Sequence, residues 1–353
     1  MLIYKILILI SLGCLLFNQS SNKFFTLFQN YNNRLINKLI VTYVLIILLS
    51  YLAYTVLQSN TIPLFTLVVI LISFFNPLNT FFKVQRYQFL SILLQIISSP
   101  VHTPVTFPQV LIADILTSYA RVFSDLYLCL LDLLNFDSMK KFSPVFSTIP
   151  YLLRFRQCIV EYIASNFNQT RSLANALKYA TSFPVIAFSA TLKSNERFYN
   201  YWLLSVFINS LYSFWWDIQN DWGLQLLMFD TYKNHTYDNI EDLDDDDEDY
   251  DESAPPPSSK THKPKSFGLR STLLFKKYYI YYIAIILDFI LRFTWSLKLS
   301  PHLQAYYELE SGILVLEVLE ILRRYLWSFF RLEWETIRKS QTTIPFHNYH
   351  DFS

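Results

Sequence analysis

Hydrophobic positions in this chain fall in long runs that mostly lack the alternation of strands, and the polar residues between them are spaced as membrane-crossing helices require. Residues 2–17 make the first run, with one lysine; the polar Asn18-Gln19-Ser20 that follows offers no clear small-x-small cleavage site. A retained span or signal anchor is therefore expected over a cleaved signal peptide. Leu39 to Leu57 predicts a second span behind Arg34 and Lys38, and Ile62 to Phe75 a third, closed by Asn76-Pro77. Tyr87 to Ile97 predicts a shorter helix that packs or re-enters. A proline-broken connector at 98–108 then separates an N-terminal set of transmembrane helices (1–107) from a core (108–338).

Six further helices are predicted in the core: 110–131, 149–163, 173–192 with a mid-span Pro184, 198–224, 278–297 and 312–334. The expectation is an all-α polytopic membrane protein with about 8–10 transmembrane helices. Residues 235–266 break the pattern with an acidic run and a Pro/Ser/Lys stretch that cannot bury a core, so a disordered aqueous spacer is expected. Residues 339–353 form a polar tail. Basic residues cluster before 278 and after 335, which predicts a cytosolic side for the acidic loop and the C-terminus.

Composition agrees with this reading: 52% of residues are hydrophobic and only 16% charged, against about 25% for soluble domains. With 29 basic and 28 acidic residues there is no general nucleic-acid footprint. Cys14, Cys129 and Cys158 have no paired spacing and read as buried packing thiols. No Walker loop, zinc cluster or serine–histidine constellation is visible, so neither a cofactor nor a metal is expected.

Charge inside the apolar runs changes the picture more. A carboxylate at mid-membrane costs roughly 2.5–3.5 kcal/mol on insertion scales, so intramembrane charges mark function by default. Asp114, Lys178, Asp217, Asp221, Asp288, Arg292, Glu320, Arg323 and Arg324 lie in five core helices. Asp217 and Asp221, and again Asp288 and Arg292, are four apart and so share helix faces. Together they predict a polar path through the bundle, against the alternative of ion pairs that only fix packing. Guanidinium groups match tetrahedral oxyanions through bidentate hydrogen bonds. The acids would hold the arginines in the empty state and accept a hydrogen bond from a protonated oxyanion, which points to phosphate over chloride or sulfate. Trp295, three residues after Arg292, offers stacking on a pore arginine.

These residues carry a resemblance. WD-x3-DWGL at 216–224, with LIADILTS, RFRQC, LKYATSF, DFILRFTW and LEILRRYLWSFFRLE in order, resembles the EXS family, the membrane domain of phosphate exporters related to the xenotropic and polytropic retrovirus receptor. The likeness covers about residues 108–338. It implies an EXS-type helical bundle with an anion path lined by Asp217, Asp221, Arg292, Arg323 and Arg324. It also implies coordinating or gating roles for Asp114, Lys178, Glu320 and Trp295. Inorganic phosphate and the lipid bilayer are the implied partners, and a homodimer is open to the chain because dimers occur in the family.

Two departures qualify it. Val160-Glu161 stands where many relatives carry a basic pair, which removes one pathway cation. Nothing before residue 108 resembles the SPX domain of plasma-membrane exporters. The chain is thereby similar to the fungal ER-retention-defective branch, which implies Golgi residence and phosphate export from lumen to cytosol. Support of glycoprotein processing, of glycosyltransferase recycling and of the retention of lumenal ER proteins follows from the same likeness. The alternatives are a non-transporting adaptor for the Golgi enzyme-recycling machinery and, more remotely, a metal-dependent membrane phosphotransferase, for which Asp-x3-Asp is a precedent but whose further acids and glycines are missing.

Overall fold

A computed structural model describes residues 2–23, 33–59, 61–98, 104–192, 196–226, 268–270, 272–275, 277–294 and 310–342. Trp295, the acidic loop at 235–266 and the tail beyond 342 lie outside the described residues. Among those described there is no strand. The N-terminal helices are α1 (Leu2–Lys23), α2 (Asn33–Leu57), α3 (Thr61–Phe75) and α4 (Lys83–Ser98). The core helices are α5 (Phe107–Thr117), α6 (Ala120–Leu134), α7 (Ser143–Ala164), α8 (Thr170–Ala180), α9 (Ser182–Leu192), α10 (Tyr199–Trp216), α11 (Tyr279–Arg292) and α12 (Glu310–Thr342).

Exposure follows the inverse of a soluble protein. On α2, Leu49 and Val56 are 66% and 72% exposed, and Ile47 is its one buried apolar residue. Asp114, Asp125, Arg154, Lys178, Asp217, Asp288 and Arg323 are all buried. Greasy outside and ionised inside is what a hydrocarbon solvent selects. By length and composition alone, Leu2–Gln19 and Arg34–Leu57 are long and apolar enough to cross a bilayer. The molecule is an all-α membrane protein.

Three predicted helices are interrupted. The run at 110–131 stops at Ser118–Tyr119 and restarts as α6, which ends on Asn135 in the left-handed conformation (φ 57°). The run at 173–192 breaks at Thr181. Pro184, expected at mid-span, sits instead in the first turn of α9, where its missing N–H removes no intrahelical bond. The run at 198–224 ends in a π-helical turn over Asp217–Asp221, closed by Trp222 N–H donating to the Asp217 carbonyl at 2.9 Å. Gly223 follows at φ 64°, and a Cβ there would come within 2.6 Å of the Trp334 ring, so only glycine fits.

Several buried polar contacts hold the bundle. The Arg86 guanidinium, fully buried, donates to the carbonyls of Ser73, Phe74, Asn76, Thr80 and Phe81 at 2.5–3.2 Å. It thus satisfies the open C-terminus of α3, where a cation is favoured. Arg270 pairs with Glu333 at 2.5 Å and also donates to the Trp222 carbonyl. Between these, Trp222, Tyr281, Trp327, Phe330 and Leu332 form the main apolar cluster. Lys5 reaches from α1 to Asp125 on α6 (2.9 Å) and Glu317 on α12 (3.0 Å), so the first helix packs into the bundle. Cys129 and Cys158 are buried as expected, whereas Cys14 is exposed on α1.

Candidate functional site

The charges expected in the apolar runs meet at one place. Asp217 lies at the junction of α10 with the π turn and is buried. Its Oδ1 accepts from Lys178 Nζ on α8 at 3.3 Å; its Oδ2 accepts from Arg292 on α11 and stands 3.6 Å from Arg323 Nη1 on α12. Lys178 also reaches Asp221 Oδ2 at 3.2 Å, so one ammonium bridges both aspartates of the π turn. Asp288 stands behind, 3.5 Å from Arg292 Nε and 3.4 Å from Arg323 Nη1. Glu320 accepts from Arg323 Nε at 2.9 Å and Nη2 at 2.6 Å. Four elements, α8, the π turn, α11 and α12, converge on one ionic network.

Lys178, Asp217, Arg292, Glu320 and Arg323 wall a cavity of about 240 Å³. Its charged lining is Lys178, Arg292, Arg323 and Arg324 against Asp217 and Glu320, an excess of two positive charges. Asp288 and Asp221, which pair with lining cations from just outside the wall, bring the network to balance. Tyr151, Tyr179, Asn209, Ser210, Ser213, Thr117, Ser182 and Thr294 supply neutral polar groups to the same wall.

Arg324 differs from its neighbours. Among the described residues no carboxylate lies within 4 Å of it. Its Nε donates to Ser118 Oγ at 2.9 Å and its Nη2 to Thr117 Oγ1 at 3.0 Å. Both hydroxyls pass their own hydrogens on, Ser118 to Glu320 Oε1 (2.7 Å) and Thr117 to the Asp114 carbonyl (2.7 Å). The guanidinium carbon rests 4.7 Å from the Trp327 ring centroid. The result is a fixed cation facing the cavity that reaches its nearest anion, Glu320, only through the Ser118 hydroxyl.

Asp114 and Asp221 stand one step behind the wall. Asp114 accepts from Arg154 Nε at 2.6 Å and from the Tyr179 hydroxyl, which itself lines the cavity. Asp221 is closed off by Lys178 and by Trp327 Nε1 at 3.2 Å, with Arg331 Nε 3.8 Å away. The expected residues Asp217, Arg292, Arg323, Arg324, Lys178 and Glu320 therefore meet in the cavity itself. Trp295 lies outside the described residues.

Arg154, Tyr179, Trp327 and the hydroxyl-bearing residues are not among the site residues expected from the sequence. One signal was available for α10. Asn209, Ser213 and Asp217 recur every fourth residue in an apolar helix, which is a polar stripe. Thr117 and Ser118 gave none, because most hydroxyls in apolar helices simply bond their own preceding turn. Thr42, Thr191 and Ser205 do so here.

A model of the EXS family matches residues 2–337, so the N-terminal helices fall within the match. "Protein ERD1 homolog 1" of Schizosaccharomyces pombe is 31% identical over 289 residues, covering 78% of this chain and 68% of the relative. "Phosphate transporter PHO1 homolog 8" of Arabidopsis thaliana is 27% identical over 291 residues, 78% of this chain and 33% of the relative. Human "Solute carrier family 53 member 1" is 28% identical over 297 residues, 73% of this chain and 36% of the relative. The chain thus spans about a third of the length of the last two.

Proposed function

Because the chain belongs to the EXS family, we propose that it carries inorganic phosphate across the Golgi membrane, from lumen to cytosol, down its gradient and without ATP. The observation that supports this most is Arg324: a buried guanidinium, held by hydroxyls and an indole face, that has no carboxylate within 4 Å among the described residues and borders a cavity lined by three further cations. An oxyanion is the ligand such a guanidinium takes best, through paired N–H donors. The carboxylates neutralise the other cations, so the empty cavity does not trap its cargo. The relative named for phosphate transport shares 78% of the chain in alignment.

The Golgi assignment draws on similarity to the fungal relatives and on a chemical need. Glycosylation from nucleotide sugars releases phosphate in the lumen, and a passive exporter would relieve the build-up, supporting glycoprotein processing and retention of lumenal proteins. A metal-dependent phosphotransferase fits the geometry less well. The place between Asp217 and Asp221 where a divalent ion would bridge is occupied by the Lys178 ammonium.

The test is efflux of trapped radiolabelled phosphate from liposomes holding purified protein. Wild type is expected to release phosphate without nucleotide. Arg324→Ala is expected to fall at least 100-fold, towards the protein-free rate, with unchanged elution in detergent. Wild-type flux equal to that of empty liposomes would overturn the transport reading and favour the adaptor.

A further inference from the structure

Transport of phosphate in the presence of other tetrahedral anions needs a group that reads the P–OH hydrogen. The carboxylates are poorly placed for this. Both oxygens of Asp217 already face cations, and Glu320, though 37% exposed, takes two donors from Arg323 and one from Ser118. A carboxylate also repels the anion it would inspect. A neutral acceptor has neither drawback.

Asn209 on α10 lines the cavity about 12 Å along the helix from Asp217, at ~1.5 Å per residue. Its side-chain amide oxygen is placed 2.8 Å from Thr181 Oγ1 and 3.3 Å from Ser182 Oγ, at the α8–α9 break. Counting hydrogens reverses that amide. Thr181 Oγ1 is also 2.7 Å from the Lys178 carbonyl, which can only accept. One hydroxyl hydrogen cannot serve two acceptors. With the amide oxygen towards Thr181, one of the two contacts would set lone pairs against each other. With the nitrogen there, Thr181 donates to the Lys178 carbonyl while Nδ2 donates one hydrogen to Thr181 Oγ1 and the other to Ser182 Oγ. The Ser182 hydroxyl hydrogen is then free for the cavity that Ser182 lines, and the two ends of an amide have nearly the same shape. The amide oxygen is left facing the cavity.

We infer that Asn209, oriented by Thr181 and Ser182, is a specificity-determining residue: a neutral, fixed acceptor that admits a tetrahedral oxyanion carrying a hydroxyl and disfavours one without. The inference rests on the phosphate-transport reading and adds which chemical form is selected. Near neutral pH inorganic phosphate keeps at least one P–OH and takes the hydrogen bond. Sulfate has no hydrogen to give and meets the carbonyl lone pair with its own, a mismatch at a desolvated site.

The experiment measures phosphate efflux from liposomes together with its inhibition by sulfate. Wild type is expected to need a large excess of sulfate for half-inhibition. Asn209→Leu, which keeps the bulk and removes the acceptor, is expected to narrow the phosphate-over-sulfate preference about tenfold, near the upper range for one buried hydrogen bond. Thr181→Val, which frees the amide to turn, is expected to narrow it by a smaller factor and stands in if Asn209→Leu does not fold. Unchanged preference in a folded, transporting variant overturns the role of Asn209 and leaves transport intact. Absence of phosphate efflux in wild type overturns the transport reading, and this inference with it.

Discussion

Arg323 and Arg324 are adjacent on α12 and held in opposite ways. Arg323 is surrounded by Glu320, Asp288 and Asp217, so its charge is spent within the protein. Arg324 leans on two hydroxyl oxygens and an indole face, which fix its position without neutralising it. The two should therefore fail differently. Arg323→Met strands buried carboxylates at a cost of about 3–5 kcal/mol, so loss of monodisperse protein and a lowered melting temperature are expected. Arg324→Lys keeps the charge but not the planar fork; normal stability with efflux reduced about tenfold is the expected result. Equal thermal stability of the two variants would show that their surroundings are not distinct. The charges were legible in the sequence because hydrocarbon penalises them. Thr117 and Ser118 were not, since the same residue types elsewhere on these helices turn back on their own backbone. Which hydroxyl faces a neighbour is decided only when the helices pack.

At the level of elements, the three interruptions share a location. Thr117 before the α5–α6 break, Ser182 after the α8–α9 break and Asp217 at the π turn all line the cavity. Broken helices in a membrane are tolerated where freed backbone meets protein or a polar cavity, and this cavity is lined by charged and hydroxyl groups. Only one break left a mark in the sequence: Pro184 announces a discontinuity, though not that the helix restarts before it. Ser118–Tyr119 contains neither glycine nor proline. The π turn was hidden because Asp217 and Asp221 share a face at α-helical spacing and still share one in the wider turn, as Lys178 bridging both makes plain. The wider turn amounts to one extra residue, and deleting Gln219 is the direct probe. The shorter segment closes as ordinary α-helix and swings Asp221 away from Lys178 and Trp327. Efflux is expected to fall to background while the protein still elutes as a single species. Retention of more than half the wild-type rate would mean that the π register is incidental.

For the whole molecule, the question is what holds the first helix to the last. Lys5 on α1 ion-pairs with Asp125 on α6 and Glu317 on α12, and Arg121 stands 3.3 Å from Asp125 and 3.9 Å from Glu317. Two cations and two carboxylates balance, but unevenly. Arg121 is half-exposed, and Lys5 is the nearer of the two cations to Glu317. The sequence reading set residues 1–107 apart from the core; the family match begins at residue 2, and this cluster supplies a physical tie between α1 and the helix that bears Glu320 and Arg324. Glu317 lies one turn from Glu320, so a shift of α12 here would be felt at the cavity. Lys5→Met leaves two buried carboxylates facing each other with one weak cation, a loss of about 3–5 kcal/mol by the usual cost of breaking a buried pair. Adding Glu317→Gln removes one of those charges and leaves Arg121 to balance Asp125. The double variant is therefore expected to be more stable than Lys5→Met alone, recovering at least half of the loss in thermal unfolding of detergent-purified protein. Residues in one ionic network are not additive, and a double-mutant cycle measures the coupling. Strict additivity of the two substitutions would show that α1 is held by its apolar face alone and that Lys5 does not position α12.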